Sequence, residues 1–180
     1  MNSRYLWAIT AVLCAVIGYA AAGVDRESVE ERLRSEAEIG RLAVNYAWAV
    51  DEKKIDAMMA LFAENAVYDL SAYGHASVAG RAAIRELFLQ SVFRAEQCSF
   101  SSISNLRTDI QGTRASGADY FVHLGYNNPN HGANTRHYVE GRHYYDFVKE
   151  KGEWKISRMQ GQPTFERIES FPPAAMKHCP

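Results

Sequence analysis

Cysteine is scarce in this sequence, with three among 180 residues, too few for a disulfide framework and none in C-x-x-C spacing. No H-E-x-x-H is present either, so no metal site is indicated. G-x-G-x-x-G, the P-loop and G-x-S-x-G are likewise missing, which leaves nucleotide cofactors and serine hydrolysis without support. No cofactor is expected. Positive charge is not in excess: 20 Lys and Arg stand against 21 Asp and Glu, for a formal net charge of -1. Phosphate backbones are bound by clustered cations, so nucleic acid is excluded as an expected partner.

Long apolar runs are also rare, and the one that stands out is at the N-terminus. Arg4 supplies a positive charge, Leu6 to Gly18 is apolar, and Ala20, Ala21 and Ala22 form a small-residue cleavage pattern. Residues 1–22 therefore read as a cleaved signal peptide of a secreted or periplasmic protein, with no membrane association after cleavage. The alternative is an uncleaved anchor, since Tyr5 to Ala22 spans 18 residues, near the lower limit for crossing a bilayer. Once Cys14 has left with the signal, Cys98 and Cys179 remain as an even pair in an oxidising compartment. Both a disulfide and two free thiols stay open.

What is present fits one globular domain: 47% of residues are hydrophobic. Ser28 and Glu31 have capping-box spacing, and Val29, Leu33, Ala37, Leu42, Ala43, Tyr46 and Val50 recur at mostly helical intervals, predicting a helix over 28–50. A second helix is expected over 54–63, a short strand over 66–70 and a third helix from Gly80. Strand-like runs follow at about 98–109, 115–126, 136–149 and 153–159, separated by turn signals. From Gly161 the chain is expected to extend over the sheet or toward a neighbouring subunit. Helices first and long strands afterwards is an α+β order in which a curved antiparallel sheet wraps three N-terminal helices and leaves a conical interior.

The segments "YAWAVD", "DAMMALFAENAVYDL", "GRAAIRELF", "SSISNLRTDI" and "EGRHYYDFVKEKGEWKISRM", in that order and spacing, resemble the SnoaL-like branch of the nuclear-transport-factor-2-like superfamily. The resemblance covers roughly residues 30–165, within an expected domain of 23–165 followed by a tail, 166–180. It implies a cone-shaped α+β barrel with an apolar pocket for a small apolar ligand, in a homodimer or larger homo-oligomer. It also implies either cofactor-independent dehydratase, isomerase or epoxide-hydrolase chemistry or a non-catalytic binding or assembly role. In the scytalone-dehydratase and lindane-dehydrochlorinase branches an acid ending the first helix pairs with a His on the strand after the third helix. Asp51 stands at the acid position and Ser101, in "CSFSSISN", at the His position.

Asp51 has two readings: a cap of the second helix, worth about 1 kcal/mol, or a pocket acid. His123 in "DYFVHLGY" shares a face with Phe121 and Gly125, opposite Tyr120, Val122, Leu124 and Tyr126. It is either a surface histidine or an imidazole replacing the missing one from a neighbouring strand. His143 is in phase with Val139, Gly141, Tyr145 and Phe147, which favours the interior, and aligns with a pocket-facing Asn of the scytalone-dehydratase branch. Asp51, His143 and His123 are the candidate acid/base groups. Tyr46, Tyr68, Ser101 and Tyr145 are the candidate substrate contacts, the tyrosines having core packing as their alternative. His137 lies six residues from His143, about 20 Å along a strand, too far to share a metal with it. His75, His131 and His178 fall in loops and tail. Trp48 reads as helix packing and Trp154 as a core residue.

Overall fold

The computed structural model describes residues 29–128 and 132–172, with Ala175 and His178. The expected signal segment, Cys14, His131 and Cys179 lie outside the described residues. The chain divides into two compact units, Met1–Ala37 and Glu38–Pro180. In the first, residues 29–37 are helical and Arg32 pairs with Glu36 one turn on, at 3.1 Å. The second holds the sheet and the core. Among the described residues no helix is long and apolar enough to cross a membrane.

Helix α1 (29–51) buries Ile39, Ala43, Tyr46, Ala47 and Val50 within the second unit, the stripe its three-to-four-residue spacing calls for. Trp48 lies off that stripe and is 62% exposed, so the packing role read for it is corrected. The chain leaves α1 through Lys53, at φ 54°, and enters α2 (Ile55–Leu61). The residue preceding α2 is Lys54, with no side-chain cap; Asp51 does not cap this helix.

Strand β1 (Phe62–Asp69) follows α2 without a loop, earlier than the sequence suggests. Phe62, Ala63 and Ala66 are all buried, and Phe62 pairs with Ile156, so sheet packing overrides a helical continuation. After the short β2 (Val78–Ala79) comes α3 (Arg81–Leu87), which runs on through a π-helical turn, Phe88–Val92, and a last turn, Phe93–Ala95. Four long strands complete the unit: β3 (Cys98–Gln111), β4 (Arg114–Tyr126), β5 (Thr135–Glu150) and β6 (Glu153–Ser170).

The sheet order is β2-β1-β6-β5-β4-β3. All neighbours are antiparallel except β1 and β6, which run parallel. The sheet is thus mixed and unclosed, with β2 and β3 as edges. Register shifts in β3 between Ser104 and Arg107 and in the β5–β6 pair next to Gly141 and Phe147 mark bulges, which bend and twist strands. Phe62, Phe88, Tyr145, Phe147, Ile156 and Met159 fill the space between the concave face and the helices.

The segment expected to extend from Gly161 instead continues β6 to Ser170. Pro163 is tolerated there because β1 ends its pairing at Gln160, leaving that half of β6 an edge. Its partner Gly141 is required: a Cβ at 141 would run into the Gln162 carbonyl and lie 2.8 Å from Pro163 Cα.

Candidate active site

A cavity of about 350 Å³ lies between the helices and the concave face of the sheet, within the size range of small-molecule sites. Its apolar wall includes Val50, Phe88, Val92, Ile103, Phe121 and Val139, and its polar groups include Tyr46, Tyr68, Glu96, Ser101, His123 and His143. Of the residues singled out from sequence, Tyr46, Tyr68, Ser101, His123 and His143 therefore share one cavity. Asp51 stands one layer behind Ser101, and Tyr145 lies buried behind His143.

The end of α1 brings Asp51 to the start of β3. Its Oδ1 accepts from the hydroxyls of Ser99 and Ser101 at 2.9 and 2.7 Å, and its Oδ2 accepts the Ser101 backbone N–H at 2.6 Å. Ser101 is directly opposite His123 in the β3–β4 ladder, so both side chains emerge on the same face at close range. Ser101 Oγ lies 2.9 Å from His123 Nδ1, and His123 Nε2 lies 3.0 Å from Glu96 Oε2. His123 thus brings an imidazole to Ser101 from the neighbouring strand, and the Ser101 hydroxyl bridges it to Asp51.

Ser101 has one hydroxyl hydrogen and two neighbours that can take it, Asp51 Oδ1 and His123 Nδ1. If it goes to Asp51, Nδ1 must carry a proton to donate to Oγ, and Nε2 must carry one as well unless Glu96 is protonated. If it goes to His123, Asp51 must carry the proton. Filling every one of these contacts with a hydrogen takes one proton more than a neutral imidazole and two carboxylates supply.

Glu96 was not singled out from sequence, and two features set its position. Lys53 Nζ donates to the carbonyls of Phe93 and Glu96 at 2.9 and 2.6 Å, binding carbonyls that the end of a helix leaves unpaired. Gly125, in phase with His123, has no side chain, and a Cβ there would overlap the Glu96 carboxylate. The π-helical turn that precedes this end of the helix supplies Phe88 and Val92 to the cavity, in keeping with the frequent occurrence of such turns at functional sites.

A second cluster surrounds His143. Its Nδ1 lies 3.0 Å from Asp119 Oδ1 and 3.1 Å from the Tyr145 hydroxyl, which donates to Asp119 Oδ2 at 2.7 Å. The ring stacks on Phe121, with centroids 4.2 Å apart and planes within 12°, and meets Tyr46 edge-on. Asp119 was also missed from sequence; it is in phase with Phe121 and His123 on β4, a face the sequence alone leaves either inward or outward.

Tyr46 and Tyr68 meet at their hydroxyls, 3.0 Å apart. Burial pushes the Tyr46 phenol well above its ordinary range, the nearby Tyr68 adding to the effect, and burial raises Tyr68 too. Both remain protonated donors. Tyr73 and His75 from the β1–β2 connection also line the cavity, as does His137, whose Nε2 is 3.7 Å from Glu166. Among the described residues no group of three or more His, Cys, Asp or Glu is disposed to hold a metal ion.

The model of the SnoaL-like domain matches residues 31–160. The chain belongs to the SnoaL-like family. Among curated proteins nothing matches. Among solved structures, a candidate aromatic ring hydroxylase from Novosphingobium aromaticivorans is 28% identical with a TM-score of 0.67, over 77% of this chain and 94% of that one. A type 2 hexachlorocyclohexane dehydrochlorinase, LinA, has a TM-score of 0.72 at 18% identity, over 81% of this chain and 97% of its own. A candidate scytalone dehydratase from N. aromaticivorans has a TM-score of 0.66 at 17% identity, over 83% and 99%. At these identities the last two show the shared fold: helices against a curved, unclosed sheet.

Proposed function

We propose that this SnoaL-like protein performs cofactor-independent acid/base chemistry on a small apolar molecule held in the cavity: dehydration, isomerisation or epoxide opening. The observation that carries the reading is the hydrogen-bonded chain Asp51–Ser101–His123–Glu96, whose last three members line the cavity. A binding protein needs an apolar cavity and no mobile proton. A catalyst needs titratable groups converging on one point, and a positioned acid or base contributes roughly 10²–10⁴ in rate. In this reading the proton passes between His123 and the substrate through Glu96, because both ring nitrogens are held, Nδ1 by Ser101 and Nε2 by Glu96, and Asp51 balances the charge. The Tyr46–Tyr68 phenol pair donates to a substrate oxygen. Two fold relatives bearing the names of a dehydrochlorinase and a scytalone dehydratase are in keeping with elimination chemistry in such a cavity.

The test is a panel of apolar β-hydroxyketones, enones and cyclic epoxides incubated with wild type, Ser101→Ala and His123→Gln, with products followed by mass spectrometry. Turnover by wild type that collapses in both variants supports the reading. Compounds that raise the wild-type melting temperature and are never converted would leave a binding protein.

We propose further that the protein works outside the reducing cytosol. Cys98 is buried and disulfide-bonded, which suits an oxidising compartment and the expected signal peptide. We propose, too, that it forms a homo-oligomer through the convex face of the sheet, where Phe100, Tyr120 and Phe165 are 58%, 45% and 47% exposed. The strand register places these three side chains on the same face.

A further inference from the structure

We infer that His143 is the base of this cavity and Asp119 its positioning residue, so that the site holds a second imidazole beside the His123 chain. The inference rests on the acid/base reading above and adds the group that accepts the proton.

Asp119 and His143 are directly opposite in the β4–β5 ladder, and the Asp119 side chain is 0% exposed. A carboxylate so far from water must be met by donors. Two are in place, the Tyr145 hydroxyl on Oδ2 and His143 Nδ1 beside Oδ1. The Tyr145 oxygen also lies 3.1 Å from Nδ1, and counting protons decides where its hydrogen goes. Were Tyr145 to donate to Nδ1, both oxygens of Asp119 would face lone pairs, at 2.7 and 3.0 Å. With Tyr145 donating to Oδ2 and Nδ1–H to Oδ1, each close contact contains one proton. Burial, followed by the charge of Asp119, holds the Tyr145 phenol well above its ordinary range, so that proton stays.

With Nδ1–H given to Asp119, Nε2 is the nitrogen left to carry the lone pair of the neutral ring, the orientation a carboxylate enforces when it accepts Nδ1–H. Among the described residues Nε2 has no hydrogen-bond partner, and the ring lines the cavity. Stacking on Phe121 fixes its plane. Space beside this edge of the ring is kept by Gly161, which is opposite His143 in β6: a Cβ there would sit 3.2 Å from the Tyr73 hydroxyl and 3.7 Å from His143 Cδ2.

His123 is four residues along β4 from Asp119, about 13 Å at strand spacing, with Phe121 between them. A substrate lying across Phe121 has His143 toward one end and the His123–Glu96 pair toward the other. In a dehydration, His143 Nε2 takes a proton from carbon, and the electron pair of that C–H bond forms the new double bond. The adjacent C–O bond breaks with its pair, and the departing oxygen takes the proton of the His123 chain and leaves as water. The protein ends with the proton on His143 instead of the His123 chain, and exchange with solvent after release resets it.

The experiment uses ligand-free protein labelled with ¹⁵N-histidine, read by long-range ¹H–¹⁵N correlation at neutral pH, with His143→Gln to assign the signals. The expected result is the Nδ1–H tautomer at His143, retained in Tyr145→Phe and lost in Asp119→Asn, where the amide donates to Nδ1. Diethyl pyrocarbonate, which attacks unprotonated imidazole nitrogen, should modify His143 in wild type and at least tenfold more slowly in Asp119→Asn, by peptide mapping. An Nε2–H tautomer or an imidazolium at His143 in wild type, or a His143 inert to the reagent, overturns the inference. If Asp119→Asn does not fold, the wild-type and Tyr145→Phe spectra still decide. Absence of turnover across the substrate panel would sink the acid/base reading and leave the tautomer unchanged, whereas the wrong tautomer sinks the base and leaves the His123 chain standing.

Discussion

Ser101 concentrates the argument at the scale of the residue. It stands where the resembling enzymes carry an imidazole, yet its hydroxyl and backbone N–H both bind Asp51 and its oxygen meets His123. Ser101→Ala keeps the N–H and removes the bridge. Turnover should fall about 10²-fold or more, with a stability loss of about 1–2 kcal/mol for the lost hydroxyl bond. Steady-state kinetics beside urea denaturation measure the two, and unchanged kcat would remove Ser101 from the chain. Asp69 offers a separate test in the fold alone. Hydrogen bonds from Ser71 first, with Arg158 and Ser77 adding, hold its carboxyl far below the usual carboxylate range. A depressed folded-state pKa means that its stabilisation is complete above the unfolded value, about 3.9, and is lost as pH falls below it. The stability of wild type should therefore decline more steeply than that of Asp69→Asn on acidification below about pH 4; parallel declines in the urea midpoint would contradict this.

At the scale of the element, two glycines place what the strands carry. Gly125 leaves room for the Glu96 carboxylate, and Gly141 lets β6 pass close to β5. Gly125→Ala should displace Glu96 and free the His123 ring. The expected result is a fall in turnover together with about 1–3 kcal/mol of overpacking cost in urea denaturation; full activity would mean that Glu96 does not orient the ring. The helices and long strands were legible in the sequence because their apolar periods are regular. The start of β1 was not, because Phe62 and Ala63 read as the end of the second helix until their place in the sheet beside β6 is known. His123 was legible as inward or outward but not which, since its face carries fewer apolar groups than the opposite one, and what turns it inward is the curvature of the sheet. Glu96 and Lys53 left no signal: each acts through a contact between segments about 30 to 40 residues apart in sequence.

For the whole molecule, the order of segments sufficed to place the chain in its family, and the family places the cavity between helices and sheet. Family membership does not determine the chemistry, which depends on side chains such as Ser101 on β3 and the imidazole it meets on β4, His123. Assembly is tested by charge on the convex face: Phe100→Lys with Tyr120→Lys should convert an oligomer to monomer by light scattering, with the fold intact by circular dichroism. A wild type already monomeric would contradict the proposed interface. The measurement that bears most directly on proton transfer in the cavity is deuterium incorporation from D₂O into apolar ketones, followed by mass spectrometry, because it registers carbon acid/base chemistry even where no leaving group departs. Wild type should accelerate exchange next to the carbonyl and His123→Gln should not. Ketones that bind without exchanging, in wild type and variant alike, would contradict the claim that this cavity moves protons.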